Sequence, residues 1–295
     1  CWLKHHEPAA FCCALLNSQP MGFYSASQLT QDVRRHGVEV RPVEVNTSGW
    51  DSSLECAANG RPALRLGLRQ VKGLAATAGK RIAAARGVAA FRSVQDLAGR
   101  AGLNRGDLAA LAAAGALSAL EGHRHRARWN VAGVEAAMPL FGVREDYEPA
   151  PMLKKPTEGQ DLVADYQSLG LTLGRHPLAL LRERLAGCRY LPAEALAGQV
   201  SGRPVRVAGL VITKQRPGTA SGVTFVTLED ETGHANLIVW KKIADTQRQV
   251  LLHARLLGVE GEVQIEGKVI HVIARRLIDH SAWLGELSVR SRDFR

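Results

Sequence analysis

The chain is 295 residues long, 46% hydrophobic and 22% charged, with 38 Lys+Arg against 28 Asp+Glu and a net charge of +10. These proportions exclude wholesale disorder and fibrous structure and leave room for roughly two or three modest domains. The longest apolar runs, such as Leu237–Trp240, fall far short of the roughly 18 residues a membrane-spanning helix needs, so no membrane partner is expected.

The five cysteines, Cys1, Cys12, Cys13, Cys56 and Cys188, are odd in number and scattered. That pattern speaks against a disulfide framework and for a reducing, cytoplasmic setting. No signal-peptide pattern opens the chain. It starts at Cys1 rather than Met and reads as a piece of something longer. The positive charge is concentrated: residues 61–138 carry a net +9, from eleven arginines and two lysines against four acids. The flanking segments carry −2 (1–60), −1 (139–200) and +4 (201–295). A cationic module of this kind points to a polyanion, with a phosphate backbone as first candidate. Alanine and arginine are abundant throughout, which also fits an arginine-rich soluble protein from a GC-rich genome.

In chain order, residues 8–37 read as two helices: Pro8 starts the first, Pro20 and Gly22 interrupt, and the second runs from about Ser27 to His36. Val38, Val40, Val43 and Val45 alternate as a short strand, and Asn46–Asp51 is turn-like. Leu64, Leu66 and Leu68 alternate again before a tight Val71-Lys72-Gly73-Leu74 loop. Helices are predicted over Ala75–Arg86, Phe91–Arg100 and Arg105–Ala114, with Gly102 and Gly115 as stops. Residues 139–160, with four prolines, read as a linker. Leu162–Leu185 resumes helical spacing around a Gly174–Pro177 break. From Arg203 the period is two, with strands predicted at 203–214, 222–230, 234–240, 254–264 and 268–276 and a helix at about 241–252. That order, with a Gly-rich first loop, is the order of a five-stranded OB barrel. The last fifteen residues read as a loosely held tail. The fold class is therefore α+β and multi-domain: a helical helix-hairpin-helix module followed by an OB barrel.

Two elements carry functional signal. In Gln70-Val71-Lys72-Gly73-Leu74, glycine permits a tight turn, the following amides stand at a helix N-terminus that favours an anion, and Lys72 adds charge. This is the physics of a helix-hairpin-helix, which grips a DNA phosphate through main-chain donors without reading sequence. Gly102-Leu103-Asn104-Arg105 reads as a second, degenerate copy; the competing reading of either is an ordinary glycine turn in a bundle. The expected duplex contacts are Lys72, Gly73 and Leu74, with Arg69, Lys80, Arg81 and Arg105 nearby. In the barrel, Lys214 and Arg216 on the first loop, Phe225 on the second strand, Trp240 and Lys242 after the third, and Arg275-Arg276 on the fifth suit a single strand held by charge and stacking. The competing reading is that Phe225 and Trp240 fill the barrel.

Reaction centres are scarce. Glu229-Asp230-Glu231 reads as a solvated hairpin turn, His5-His6 and His123/His125 lack further ligands at zinc spacing, and no phosphate-loop or dinucleotide fingerprint occurs. Neither a catalytic residue nor a metal ligand is assigned.

Leu64-Arg65-Leu66-Gly67-Leu68 with Val71-Lys72-Gly73, Arg105 to Leu117, Ser168-Leu169-Gly170-Leu171 and His176-Pro177-Leu178 together resemble the carboxy-terminal part of bacterial C-family DNA polymerases, over nearly the whole chain. The run Leu16-Asn17-Ser18-Gln19-Pro20-Met21-Gly22-Phe23-Tyr24 is similar to the error-prone, damage-inducible branch, a paralogue of the replicative alpha subunit. The resemblance implies that residues 1–60 end a fingers region, 61–122 form the helix-hairpin-helix, 123–200 a helical segment and linker, 201–280 the OB barrel and 281–295 a tail. It implies damage-induced translesion synthesis by a parent whose palm carboxylates, binding two Mg²⁺ ions, lie upstream. This chain alone is then expected to be inactive and to need no cofactor, holding double-stranded and single-stranded DNA. A non-catalytic repair adaptor, or a protein-docking OB module, is the rival reading.

Replicative relatives carry a sliding-clamp peptide, with a leading glutamine and an apolar end, between the two modules. The comparable place reads Ala137-Met138-Pro139-Leu140-Phe141; alanine cannot make a glutamine's amide hydrogen bonds. Clamp binding is expected to be weak or lost, leaving recruitment to accessory translesion proteins. The competing reading is that Leu140 and Phe141 simply pack on the bundle. Calorimetric titration of this chain with clamp should show no nanomolar site; a nanomolar site overturns the expectation.

Overall fold

The computed structural model describes residues 2–21, 24–134, 152–218, 222–267 and 269–285, and the backbone of a strand at 292–294. The chain forms two units, Cys1–Leu173 and Gly174–Arg295.

The first unit opens with helices α1 (Trp2–His6), α2 (Pro8–Asn17) and α3 (Ala26–Arg35). Pro8 sits at the first position of α2, where its missing N–H costs nothing. Ser25 and Gln28 cap α3 reciprocally. A small sheet follows, of β1 (Val40–Arg41), β2 (Ser53–Cys56) and β3 (Pro62–Arg65), with β3 central, parallel to β1 and antiparallel to β2. The predicted valine strand contracts to Val40–Arg41, because Val43 and Val45 are buried without joining the ladder. β2 gave no signal because its residues are almost all solvent-facing, so no alternation marks it. Glu55 on β2 holds Arg65 (2.9 Å) and Arg41 (2.5 Å). Those two guanidinium hydrogen bonds hold its carboxyl below the usual range.

Helices α4 (Ala76–Val88), α5 (Val94–Ala101), α6 (Arg105–Ala113), α7 (Ser118–Glu121), α8 (Arg124–Ala132) and α9 (Glu158–Ser168) complete the unit. One core joins everything: Cys12, Leu16 and Val33 meet Leu64, Leu66, Leu68, Ile82, Leu97, Leu108, Leu111, Leu117 and Leu171. The alternating leucines therefore all point inward, and the N-terminal helices share a core with the helices after the sheet. Arg124 bonds Asp161 (2.6 Å), Asp165 and the Ala113 carbonyl (2.9 Å), tying α8 and α9 to the end of α6. α9 starts earlier than the prolines imply, since Thr157 and Gln160 form a capping box directly after Pro156.

The second unit starts with α10 (Pro177–Gly187), whose N-cap His176 accepts from the Leu178 amide. Strands β4 (Pro204–Gln215), β5 (Thr224–Glu229) and β6 (His234–Val239) precede two short helices, α11 (Lys241–Thr246) and α12 (Arg248–His253). β7 (Leu256–Glu266) and β8 (Val269–Asp279) follow, and β9 (Arg292–Phe294) runs parallel to the end of β4. The order β5-β6-β8-β7-β4 closes on itself through β4–β5. A register shift between Val211 and Thr213 lets β4 leave β7 and join β5, as a closed barrel requires. Val205, Val207, Val226, Leu228, Leu237, Val239, Val259, Val263 and Val272 fill the interior. All five predicted strands occur, and the predicted helix is divided at Gln247.

The Glu229-Asp230-Glu231 turn is not solvated. Asp230 is 2% exposed and accepts from the amides of Ala193 (2.7 Å), Thr232 (2.8 Å) and Gly233 (2.9 Å) while pairing with Arg182 at 3.1 Å. Buried charge is tolerated there because its acceptor sites are filled.

Gly67 lies where a side chain would fall on the main chain of Asp51 and Ser52, the segment whose neighbours hold Leu68 and Arg69 through Gly49 and Trp50 carbonyls. Gly67→Ala should lower stability by about 1–3 kcal/mol, read as an earlier urea-unfolding midpoint. An unchanged midpoint would refute this packing.

Candidate nucleic-acid interface

The hairpin is built from its two apolar ends. Val71 and Leu74 are buried, and the Leu74 amide closes the turn on the Val71 carbonyl at 3.3 Å. Between them Lys72 and Gly73 are pushed to the surface. Gly73 has φ +86°, and nothing lies within 4 Å of where a Cβ would stand. A side-chain-bearing residue would be strained there, and the main chain is open to approach. Beyond it α4 begins with Ala75 as N-cap, which has no side chain able to accept. The N–H groups of Gly73, Ala76 and Thr77 have no acceptor among the described residues, and all three residues are exposed. Free amides and the helix dipole together favour an anion at this corner.

The second turn differs. Gly102 has φ +59° and ends α5. But α6 is capped by its own side chains: Asn104 accepts from the Asp107 amide at 2.8 Å, and Asp107 accepts from the Asn104 amide at 3.3 Å. An aspartate occupies the place an external anion would take. The two hairpins read alike in sequence; the capping separates them.

The expected cations divide. Lys80 is exposed, with no partner among the described residues. Arg105 is exposed, with one long bond to the Ala132 carbonyl (3.4 Å). Lys72 is exposed, but its ammonium donates to the carbonyls of Tyr166 (2.8 Å) and Gln167 (3.1 Å) and its amide to Ser168 (2.8 Å). It holds the end of α9. Arg69 is bound to Asp51 (2.7 Å) and to the carbonyls of Asn17 and Gln19. Arg81 donates to the carbonyls of Ala101 and Gly102, tying α4 to the second turn. Leu74 is an anchor, its side chain inward and its amide used. Arg69, Arg81 and Lys72 thus already hold oxygens of the chain, and Leu74 is buried, so none of the four stands as an unengaged donor at the corner. Sequence reasoning missed Arg128, exposed and without a partner among the described residues. With Lys72, Gln167 and Ser168 it lines a groove that leads from the hairpin. Trp129 beside it is 56% exposed.

In the barrel, side chains alternate, so residues between core positions face out. Phe225 lies 37% exposed and Trp240 53% exposed. Neither fills the interior; both stand outside it. Arg216 and Lys241 converge over Gly222, where a Cβ would meet Lys241 Cδ at 3.1 Å and Arg216 Nη2 at 3.3 Å. Lys242 is exposed alongside. The cations on this side therefore flank Trp240. Lys214 is a correction: its residue is 8% exposed, and Nζ donates to the Leu252 carbonyl at 2.8 Å, closing the end of α12. Being on β4 before the loop, it alternates inward. Arg275 and Arg276 face Glu262 and Glu260 on β7, which offset their charge.

The helical segment matches a helix-hairpin-helix motif family over residues 37–127, and the barrel an OB-fold nucleic acid binding domain family over residues 205–279. Over nearly its full length the chain is 60% identical to an error-prone DNA polymerase of Alkalilimnicola ehrlichii, across 293 residues, 99% of this chain and 29% of that protein. It is 57% identical to one from Azoarcus sp. (99% and 28%) and 54% identical to one from Pseudomonas fluorescens (100% and 29%). Over its whole length the chain is similar to error-prone DNA polymerases. It spans about 29% of the length of these relatives, and the resemblance read from its residues holds. Among solved structures, asparaginyl-tRNA synthetase from Pyrococcus horikoshii overlaps with a TM-score of 0.27 and 23% identity, covering 31% of this chain and 22% of that one. At that TM-score it carries no weight. Residues 137–141, the place of the clamp peptide in replicative relatives, lie outside the described residues.

Lys214→Ala should destabilise the second unit by about 2 kcal/mol, the cost of leaving the Leu252 carbonyl unpaired, without changing affinity for oligo-dT. Thermal unfolding and fluorescence anisotropy check the two halves; a loss of oligo-dT affinity at unchanged stability would restore Lys214 to the surface.

Proposed function

We propose that this chain is the DNA-holding, C-terminal portion of an error-prone DNA polymerase. The first unit grips a duplex phosphate through the amides around Gly73, Ala76 and Thr77. Lys80 and Arg105 supply charge nearby, and Arg128 extends the cationic surface along the groove. The outer face of the barrel takes single-stranded template, stacked on Phe225 and Trp240 and drawn in by Arg216, Lys241 and Lys242. Main-chain donors and unpaired cations bind any sequence, which suits a polymerase that must travel.

The observation that carries this reading is the bare start of α4 behind a left-handed glycine, inside the segment matched to the helix-hairpin-helix family. The parent's role is damage-induced translesion synthesis and repair, in the cytoplasm, with accessory proteins for recruitment and little help from the clamp. No helix among the described residues is long and apolar enough to cross a membrane. Nucleotidyl transfer belongs to carboxylates and two Mg²⁺ ions elsewhere in the parent. Among the described residues no three His, Cys, Asp or Glu side chains are grouped to hold a metal, and the part these residues play is to hold and orient DNA.

Lys80→Glu should weaken duplex binding and reduce the slope of log K against log salt by about one unit. Thr77→Glu, which sets a carboxylate at the bare amides, should weaken it further. Duplex affinity measured between low and moderate salt checks both. Unchanged affinity in both variants would reject the hairpin as the duplex site and favour the adaptor reading, in which the modules dock protein.

A further inference from the structure

The outer face of the barrel carries two adjacent rows of side chains. Phe225 on β5 pairs with Ile238 on β6, which pairs with Ile273 on β8. One step along, Thr227 pairs with Asn236, Asn236 with His271, and His271 with Gln264 on β7. Residues two apart on a strand lie about 7 Å from each other on the same face, so one base can touch both rows.

The first row is apolar and lies outside the barrel core. The second is uncharged and polar. The Thr227 hydroxyl lies 3.2 Å from Asn236 Oδ1, while the Asn236 amide nitrogen has no acceptor among the described residues. His271 Nδ1 is buried and has no hydrogen-bond partner there. The other ring nitrogen, Nε2, also has no partner among the described residues and is not buried, so it is the one a ligand on this face can meet. Phosphate recognition favours cations, and this row holds none. An amide, an imidazole and a hydroxyl, each with donor and acceptor capacity, instead match the donor–acceptor pattern of a nucleobase edge.

We propose that Thr227, Asn236 and His271 read the edge of a base in single-stranded DNA whose flat face rests on Phe225, Ile238 and Ile273. The barrel then prefers some bases over others instead of binding every single strand alike. This rests on the proposed function of the barrel as the holder of single strands.

The full 295-residue chain is titrated with labelled 15-mers of dT, dC and dA, as wild type and as Asn236→Ala, His271→Ala and Phe225→Ala. The helix-hairpin-helix contributes phosphate binding without base information, so it shifts all three oligomers together. The wild type should separate the best and worst oligomer by roughly fivefold or more. Asn236 is exposed, so its variant should keep the thermal midpoint; it should narrow the separation to below twofold while changing mean affinity little. His271→Ala should narrow it likewise. Phe225→Ala should weaken all three by roughly tenfold.

Equal binding of the three by the wild type, or a separation retained in both Asn236→Ala and His271→Ala, overturns the inference. If Phe225→Ala still weakens every oligomer in that case, only the base-reading row fails. If Phe225→Ala changes nothing, the single-strand reading of the barrel fails and the row falls with it.

Discussion

The first-turn amides of the helix after Gly73 have no acceptor among the described residues, and the exposed corner of the first unit is built around that deficit. A helix start must satisfy its donors by a side chain, water or a ligand. Ser25, Ser93, Asn104, His123 and Thr157 do this for the other longer helices of the unit that do not begin with proline. Ala75 does not. Val71 and Leu74 sink the flanks of the turn into the core, which leaves the donors outside and unobstructed. A left-handed glycine keeps a Cβ out of the approach path.

Much of the positive charge around this corner is committed to structure. Arg41 and Arg65 pair with Glu55, Arg86 bonds the carbonyls of Val45 and Ser48, Arg100 pairs with Asp96, and Arg124 with Asp161 and Asp165. Arginine suits these posts because its planar fork bonds several oxygens at once. The net +9 of residues 61–138 thus overstates the unpaired cations: Arg61, Lys80, Arg92 and Arg128 are exposed with no side-chain partner among the described residues, and Arg105 has one long bond. In the barrel the balance is similar: β7 glutamates answer the arginines of β8, and the cations left over flank Trp240.

Gly73, the alternating leucines and the period-two run after Arg203 were legible in the sequence, because backbone conformation and one-sided burial are written locally. So were Phe225 and Trp240 as candidates, though not their outward direction. The fates of Lys72, Arg69 and Arg81 were not. Each bonds oxygens far along the chain, as Lys72 does with Tyr166 and Gln167, and no local pattern announces such a partner. Lys214, the last residue of the predicted strand, was read as part of the loop, whereas β4 runs on to Gln215 and turns its side chain inward. Asp230 was misread because three amides and an arginine converge on it from separate segments.

By itself the sequence determined the two modules, their order and the glycine corner, since these follow from periodicity and turn chemistry; the likeness to error-prone polymerases rested on resemblance of whole runs of residues. The cap of the second hairpin, Asn104 with Asp107, is local and stands in the sequence where the first has Ala75. Only the tertiary structure decided which side-chain donors stay free. It bound Arg69, Lys72, Arg81 and Lys214 to oxygens distant in sequence, and through strand register it set Asn236 beside His271. Hydrogen-bond capacity is a property of every polar residue; whether it is still available depends on what folding has brought within reach.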